Sequence, residues 1–433
     1  MHGLRILILA MAMLVAIFGC SPTQEKEDPP QQDPPDNGEE SWAPEEITEE
    51  DRYPLLLVGI DGVKPSYFEK YESALSNLNE LAEQGVRAKS LKPVMPSHTF
   101  PNLYSIATGL YPENHGITAN RVHDAERDVT LTMRDEEEIS NPSWWGGEPI
   151  WVSAEKQGLT SATYFWVGSE APIDGVQPTH WVPYGPVPHN ERTDQVVEWL
   201  TGEDPVDFAT LYFAAPDGAG HQHGPSAQEV GEALFFVDRQ IGRLIDGLQA
   251  GGVWPDINII FVSDHGMTDL DEEKVIFLDD IIDLSDVHVI DWSPMAAIAP
   301  RDGKTDEVYQ ALKAAEEDHP YSVYLKEEIP ERYRLRNAEH IPDIVVIAEL
   351  PYALTSRSYF DSQGLLSGGH GFDPQYEDMH GFFLAHGPNF PEQHQTDTLH
   401  LVDLYALMTY LLALEPAEHD GSLERIGRQI YGD

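Results

Sequence analysis

Three short apolar runs, each followed within a few residues by an aspartate, constrain this chain more than any other feature. Pro54–Ile60 (PLLLVGI) runs straight into Asp61, Phe208–Phe213 (FATLYF) leads to Pro216-Asp217, and Ile257–Val262 (INIIFV) ends at Ser263-Asp264-His265. A half-buried strand alternates polar and apolar residues. An uninterrupted run of this length reads instead as a strand buried on both faces, as in parallel sheets covered by helices. Between the runs, Tyr67–Gln84, Arg192–Thr201 and Ala227–Leu248 carry helical spacing. Alternating strands and helices predict an α/β fold: a central, mostly parallel sheet with helices on both faces. Such sheets bind ligands just beyond the carboxyl ends of their strands, where these aspartates stand.

The remaining segments fill in that plan. Val86–Val94 reads as a strand, Pro149–Lys156 as a short helix and Leu159–Trp166 as another strand. Asn120–Gly147 is polar and irregular. From about 287 to 354 the rhythm breaks, and a small α+β insert or cap is expected there, with a charged helix near Thr305–Glu317. His400–Leu414 is a final amphipathic helix. The folded domain is placed at 52–433.

Residues 1–20 have the form of an export leader. His2 and Arg5 precede the apolar run Ile6–Phe18, too short for a comfortable membrane span, which closes on Gly19-Cys20. Cys20 is the chain's single cysteine, so no intramolecular disulfide is possible. Gly19-Cys20 resembles a bacterial lipobox, which implies cleavage before Cys20 and lipid on its sulfur; the alternative is an uncleaved anchor. Either way the protein is expected to be exported, periplasmic or at the cell surface. Ser21 rather than Asp after Cys20 points to the outer membrane. Residues 21–51 are rich in Pro, Asp and Glu, with too few apolar side chains to build a core, and read as an extended tether.

Lys+Arg number 26 against 75 Asp+Glu, a formal charge of -49. A surface that binds nucleic acid must be basic, so no nucleic-acid partner is expected. An acidic coat serves solubility, and it repels anionic substrates unless bound cations reverse the field locally.

The reactive centre is read at Pro93–Ile117. Pro96 ends an extended segment, Thr99 stands where a helix begins, and Gly109 stops that helix. A hydroxyl there faces free N–H groups and the positive end of the helix dipole, a seat for a phosphate oxyanion, although an N-cap alone would explain it too. Asp and His recur at four other places: Asp61, Asp217-Gly-Ala-Gly-His221, Asp264-His265, and His370 within Gly368-Gly-His-Gly371. The glycines between Asp217 and His221 would let a loop turn both toward one point, and Gly266 would let the strand stop so that Asp264 and His265 share a site. Imidazole and carboxylate donors suit zinc. The six candidates divide into two sets of three. His380 is a second choice to His370. His98, His115, His123, His223 and His386 read as structural or surface residues, and Trp144, Trp145 and Trp166 as core rather than a substrate wall.

Taken together, Val58-Gly-Ile-Asp61-Gly62, Thr99-Phe-Pro-Asn102, Thr108–Glu113, His115-Gly-Ile117 with Asn120, Trp166–Glu170, Pro216–His221 with Gly224-Pro225, Ser263–Met267 and Gly369–Asp373 resemble the nucleotide pyrophosphatase/phosphodiesterase family of the alkaline phosphatase superfamily. The resemblance implies an alkaline-phosphatase-like fold and two zinc ions, one held by Asp217, His221 and His370, the other by Asp61, Asp264 and His265. It implies Thr99 as the nucleophile, bound to the second zinc. Asn120 and the Phe100 N–H would donate to a phosphate oxygen, and Phe100 and Tyr184 would flank a nucleobase. Tyr184 lies in a segment one residue short of the family pattern, and Val167 replaces its usual proline. The implied substrate is a nucleotide or other small phosphodiester. A phosphomonoesterase or phosphonate hydrolase on the same scaffold is the alternative enzyme, and a non-catalytic zinc- or nucleotide-binding lipoprotein the alternative of another kind.

Overall fold

The structure, a computed structural model, describes residues 47–432. The expected leader, Cys20 and nearly all of the tether lie outside them. No helix among the described residues is long and apolar enough to cross a membrane. The folded part begins earlier than the predicted boundary at 51–52. Ile47 packs against one core of the sheet, and the Asp51 N–H closes a turn on the Thr48 carbonyl at 3.0 Å. One apolar side chain suffices to dock a segment whose composition is otherwise that of a tether.

Eight strands form the central sheet: β1 (Leu55–Ile60), β2 (Val86–Ala88), β3 (Ser161–Tyr164), β4 (His180–Val182), β5 (Phe208–Phe213), β6 (Asn258–Val262), β7 (Phe383–His386) and β8 (His394–Thr396). Their spatial order is β8-β2-β7-β6-β1-β5-β3-β4, and β7 alone is antiparallel to its neighbours. The three apolar runs are the three adjacent central strands β6, β1 and β5. Their register is level: Ile60 lies opposite Phe213, and Gly59 opposite Val262. The strand pleat sends Leu55, Leu57, Phe208, Tyr212, Ile260 and Val262 into one core and Leu56, Val58, Ile60, Ala209, Leu211, Phe213, Ile259 and Phe261 into the other. Both faces are therefore apolar, as the unbroken runs require.

Several predicted elements are broken or trimmed. Tyr67–Gln84 is three pieces, Tyr67–Lys70, Glu72–Ala74 and Ser76–Gln84. The strand expected over Val86–Val94 is β2 plus a two-residue bridge at Leu91–Lys92. The irregular region contains a hairpin, Arg121–Asp124 against Val129–Thr132. The insert is a four-stranded antiparallel sheet built from Val287–Asp291, Met295–Pro300, Ile344–Ala348 and Tyr321–Leu325, with the helix Thr305–Ala315 and its own apolar core. A helix at Leu423–Tyr431 follows the expected one, which spans Asp403–Leu411. Trp144, Trp145 and Trp166 are 2%, 4% and 0% exposed, so they fill the core.

The helix Ser76–Gln84 has no side-chain cap of its own. Buried Asp238, on the long helix Gln228–Ala250, supplies one. Its Oδ1 accepts from the Leu78 N–H at 3.0 Å. Its Oδ2 accepts from the Asn77 N–H at 3.0 Å and from the Asn77 and Ser76 side chains. Removing the carboxylate strands the buried Leu78 N–H and the half-buried Asn77 donors. Asp238→Ala is expected to cost on the order of 3 kcal/mol, read as a lower urea midpoint with an unchanged denaturant slope.

Candidate metal centre and active site

The level ends of β1, β5 and β6 bring Asp61, Asp217 and Asp264-His265 together. The Asp217–His221 segment is not the predicted glycine loop. It is the first turn of a helix, α2 (Asp217–His223), entered through Pro216. A helix places residues four apart on one face, and that pitch, rather than glycine flexibility, turns Asp217 and His221 to one point. The ion-pairing atoms Asp217 Oδ1 and His221 Nε2 are 3.4 Å apart. His370 comes from the glycine-rich loop. Its Nε2 is 3.1 Å from His221 Nε2 and 3.6 Å from Asp217 Oδ1. His265 Nε2 lies 3.2 Å from Asp61 Oδ1, 3.4 Å from Asp264 Oδ2 and 3.3 Å from Thr99 Oγ1. The His265 and His370 rings stack at 3.6 Å, so the two sets of three adjoin. His265 is near enough to be grouped with either.

Each imidazole has its other nitrogen spoken for. Nδ1 of His221, His265 and His370 bonds the carbonyl of Gly368, Gly266 and Ser97, at 2.9, 2.8 and 2.9 Å. A carbonyl only accepts, so Nδ1 carries the proton and Nε2 presents a lone pair to the centre. The carboxylates are complementary. Asp61 Oδ1, Asp217 Oδ1 and Asp264 Oδ2 are buried without a hydrogen-bond donor. Burial and mutual repulsion raise the carboxyls of Asp61 and Asp264, the latter to about 8, and burial raises that of Asp217. Burial likewise pushes the His265 imidazole down to about 3 and holds His370 well below its usual value. Bare carboxylate oxygens facing imidazole lone pairs are ligand atoms gathered without hydrogen-bond donors of their own. They fit divalent cations.

Thr99 opens the helix α1 (Thr99–Thr108), whose every later residue is buried; His98 is its N-cap and Gly109, at φ 68°, its stop. Thr99 is thus the first helical residue rather than the cap. The turn before it is held by Asn102. Asn102 Oδ1 accepts from the Val94 N–H at 2.7 Å, and its Nδ2 donates to the carbonyls of Pro96 and His98 at 3.0 and 2.8 Å. Ser97 joins this turn to the His370 loop, donating through Oγ to the Phe372 carbonyl at 2.8 Å and accepting from the Gly371 N–H at 3.0 Å. His98 lies behind, its ring edge against His370 at 5.5 Å. Gly371 has φ 101°, and a Cβ there would stand 2.1 Å from His98 Nε2; only glycine fits. Gly266 is needed for a different reason than a strand stop. A Cβ there would meet the Asp378 carbonyl at 2.2 Å.

Other expected residues divide. The Phe100 N–H donates to Asn120 Oδ1 at 2.8 Å. It is therefore committed to Asn120 and is not a second free donor, as had been expected. With its oxygen engaged, Asn120 has its amide N–H groups left to give. The Phe100 ring is buried in a core, while Tyr184 is 39% exposed and rests on Phe165 at 4.8 Å. His380 is not at the centre, being fixed by the Ser90 hydroxyl and the Pro374 carbonyl. Buried His115 bonds the Ser105 hydroxyl and the Ile117 N–H. Tyr212, unrecognised in the sequence, donates its hydroxyl to Asp61 Oδ2. The only signal for it was its place in an otherwise apolar buried strand.

Known proteins resemble this chain in sequence and in fold. The family model described as type I phosphodiesterase / nucleotide pyrophosphatase matches residues 55–373. Ectonucleotide pyrophosphatase/phosphodiesterase family member 5 of Homo sapiens is 35% identical over 374 residues, 86% of this chain and 77% of the relative. A bis(5'-adenosyl)-triphosphatase of Homo sapiens is 38% identical over 374 residues, 85% of this chain and 80% of the relative. The solved murine ectonucleotide pyrophosphatase/phosphodiesterase 5 superposes with a TM-score of 0.82 at 34% identity, over 87% of this chain and all of the other. An inactive, substituted form of that murine protein is known in complex with AMP. The fold is alkaline-phosphatase-like, and the chain belongs to the type I phosphodiesterase / nucleotide pyrophosphatase family.

Proposed function

We propose that the chain is an exported hydrolase of phosphodiester or phosphoanhydride bonds in nucleotides, with Thr99 as nucleophile. The observation that carries this reading is the placement of Thr99 Oγ1, 3.3 Å from His265 Nε2, at the start of a buried helix and at the edge of the six-residue donor set. Asp217, His221 and His370 would hold one zinc ion, and Asp61, Asp264, His265 and Thr99 another. Bound there, such ions would neutralise charge on a phosphoryl oxygen and lower the pKa of a ligated hydroxyl. The Thr99 hydroxyl loses its proton to solvent, its oxygen attacks phosphorus, the bond to the leaving oxygen breaks so that an alcohol or a phosphate departs, and a phosphoryl or nucleotidyl ester of Thr99 results. Water then cleaves that ester and restores the hydroxyl. The Asn120 Nδ2 donates to a non-bridging oxygen as it gains charge, and the Phe100 N–H keeps Asn120 in position.

Two observations favour diesters and anhydrides over monoesters. No lysine or arginine among the described residues is bonded to the six donors, Thr99 or Asn120. A monoester dianion would call for such a cation, whereas a substituted phosphate does not. Relatives named for nucleotide pyrophosphatase and bis(5'-adenosyl)-triphosphatase activity, and the AMP complex of one, support a nucleotide substrate. Tyr184, exposed above Phe165, is the face on which a base would stack. Lipid attachment at Cys20, with display from the outer membrane, belongs to the same proposal.

Thr99→Ala is expected to abolish release of p-nitrophenol from a p-nitrophenyl nucleotide diester by zinc-loaded protein lacking the first 46 residues. The wild type should prefer this diester strongly over p-nitrophenyl phosphate; the reverse preference would move the function to a monoesterase. Asn120→Ala should lower kcat by about 10²–10³-fold, as for loss of one oxyanion donor, with a much smaller change in KM.

A further inference from the structure

We infer that the two cation positions are unequal: the one at Asp61, Asp264 and His265 fills first and is retained, the one at Asp217, His221 and His370 exchanges, and Tyr212 is the positioning residue that sets the difference. This rests on the two-cation reading above and deepens it. The first set is closed. The side chains of Asp61, Asp264 and His265 are 5%, 0% and 0% exposed. The second set is more open, with His221 at 26%, Asp217 at 18% and His370 at 7%.

The carboxylates also differ in how they are held. Asp61 Oδ2 receives the Tyr212 hydroxyl. Asp264 Oδ1 receives the N–H groups of Gly62 and His265 at 3.3 and 3.1 Å. Each therefore has one oxygen pinned by protein donors and one, Asp61 Oδ1 or Asp264 Oδ2, left bare toward the centre. Two carboxylates fixed in one-oxygen geometry need little rearrangement to receive a cation. Asp217 has no such donor: its contacts are the imidazoles of His221 and His370. No hydrogen-bond donor pins its bare Oδ1, so the carbonyl-fixed histidines must be met by a carboxylate that is held less firmly than Asp61 or Asp264. Tyr212 is buried, with its ring edge-on to Phe165 at 5.4 Å, so the hydroxyl cannot swing away from Asp61.

The test is a titration of metal-free protein with zinc against a chromophoric chelator, with bound metal per chain counted by elemental analysis. Two steps are expected, the first tighter than the second by at least about tenfold, and dialysis against a moderate chelator should leave one ion per chain. Asp217→Asn should remove the second step and leave the first unchanged. Tyr212→Phe should weaken the first step by about 10–100-fold, the usual effect of losing a hydrogen bond behind a ligand. It should spare the second step and the melting temperature of the metal-free protein. Two ions binding in one step, or Asp217→Asn weakening the tighter step, would overturn the inference while leaving two cations in place. So would equal effects of Tyr212→Phe on both steps. A total of one ion per chain would overturn the two-cation reading itself. If Tyr212→Phe does not fold, the wild-type order and Asp217→Asn still decide the inequality.

Discussion

Three carboxylates gathered around one cluster of imidazoles are the constraint on which the rest of the molecule depends. Asp61 and Asp264 are buried and Asp217 partly so, and ionised together they repel strongly. No lysine or arginine among the described residues is paired with them; their neighbours are imidazoles whose protons face outward to carbonyls. Such a group of charges survives folding only if it holds protons or meets an added cation. Two divalent cations would leave the set with a small net positive charge, of the sign that receives a phosphate. In a chain of formal charge -49, that would make the centre a local exception to a field that otherwise turns anions away.

The sheet supplies the geometry that makes this crowding possible. Ile60, Phe213 and Val262 end their strands at nearly one level, so aspartates placed one to four residues later emerge around a single crevice. Thr99 is brought there by a separate device. Asn102 ties three backbone groups of the turn before α1, and Ser97 stitches that turn to the loop carrying His370. Thr99 and His370 thus share one backbone scaffold, although they are far apart in sequence. A shift of either loop would disturb both the Thr99 hydroxyl and the His370 imidazole.

Much of this was legible because the signal and the structure have the same cause. A strand buried on both faces has to be apolar throughout, so its end is visible as the first charged residue; Asp61 and Asp264 were found that way. What escaped were contacts whose partners carry no pattern. Tyr212 sits in a run read as core, and only the pleat, which puts it beside Asp61, shows that its hydroxyl is used. Asp238 looks like one more acid on a long helix, yet it is buried as another helix's cap. The commitment of the Phe100 N–H to Asn120 follows from the distance between two loops, which spacing does not contain. The glycines of the Asp217 segment suggest a flexible turn, whereas a helix starts there just after Pro216 at the end of a central strand.

The α+β insert is also tied into the centre. Its own sheet and core would let it stand as a separate module, but its edges are built into the centre. Arg332 pairs with Asp373 at 2.7 Å, and the Tyr333 hydroxyl donates to the same carboxylate at 3.1 Å, three residues beyond His370. Pro294 lies against Gly371, where a side chain would strike it at 2.7 Å. Arg334 spans from Glu113 at 2.7 Å to Asp420 at 3.2 Å, fastening the insert to the segment after α1 and to the C-terminal region. The His370 loop is therefore gripped from two sides, by the turn before Thr99 through Ser97 and by the insert through Asp373. A loop rich in glycine would otherwise hold its side chains loosely. The double grip gives His370 the fixed direction that its Nδ1 bond to the Ser97 carbonyl shows, and it makes the insert part of the framework around the centre.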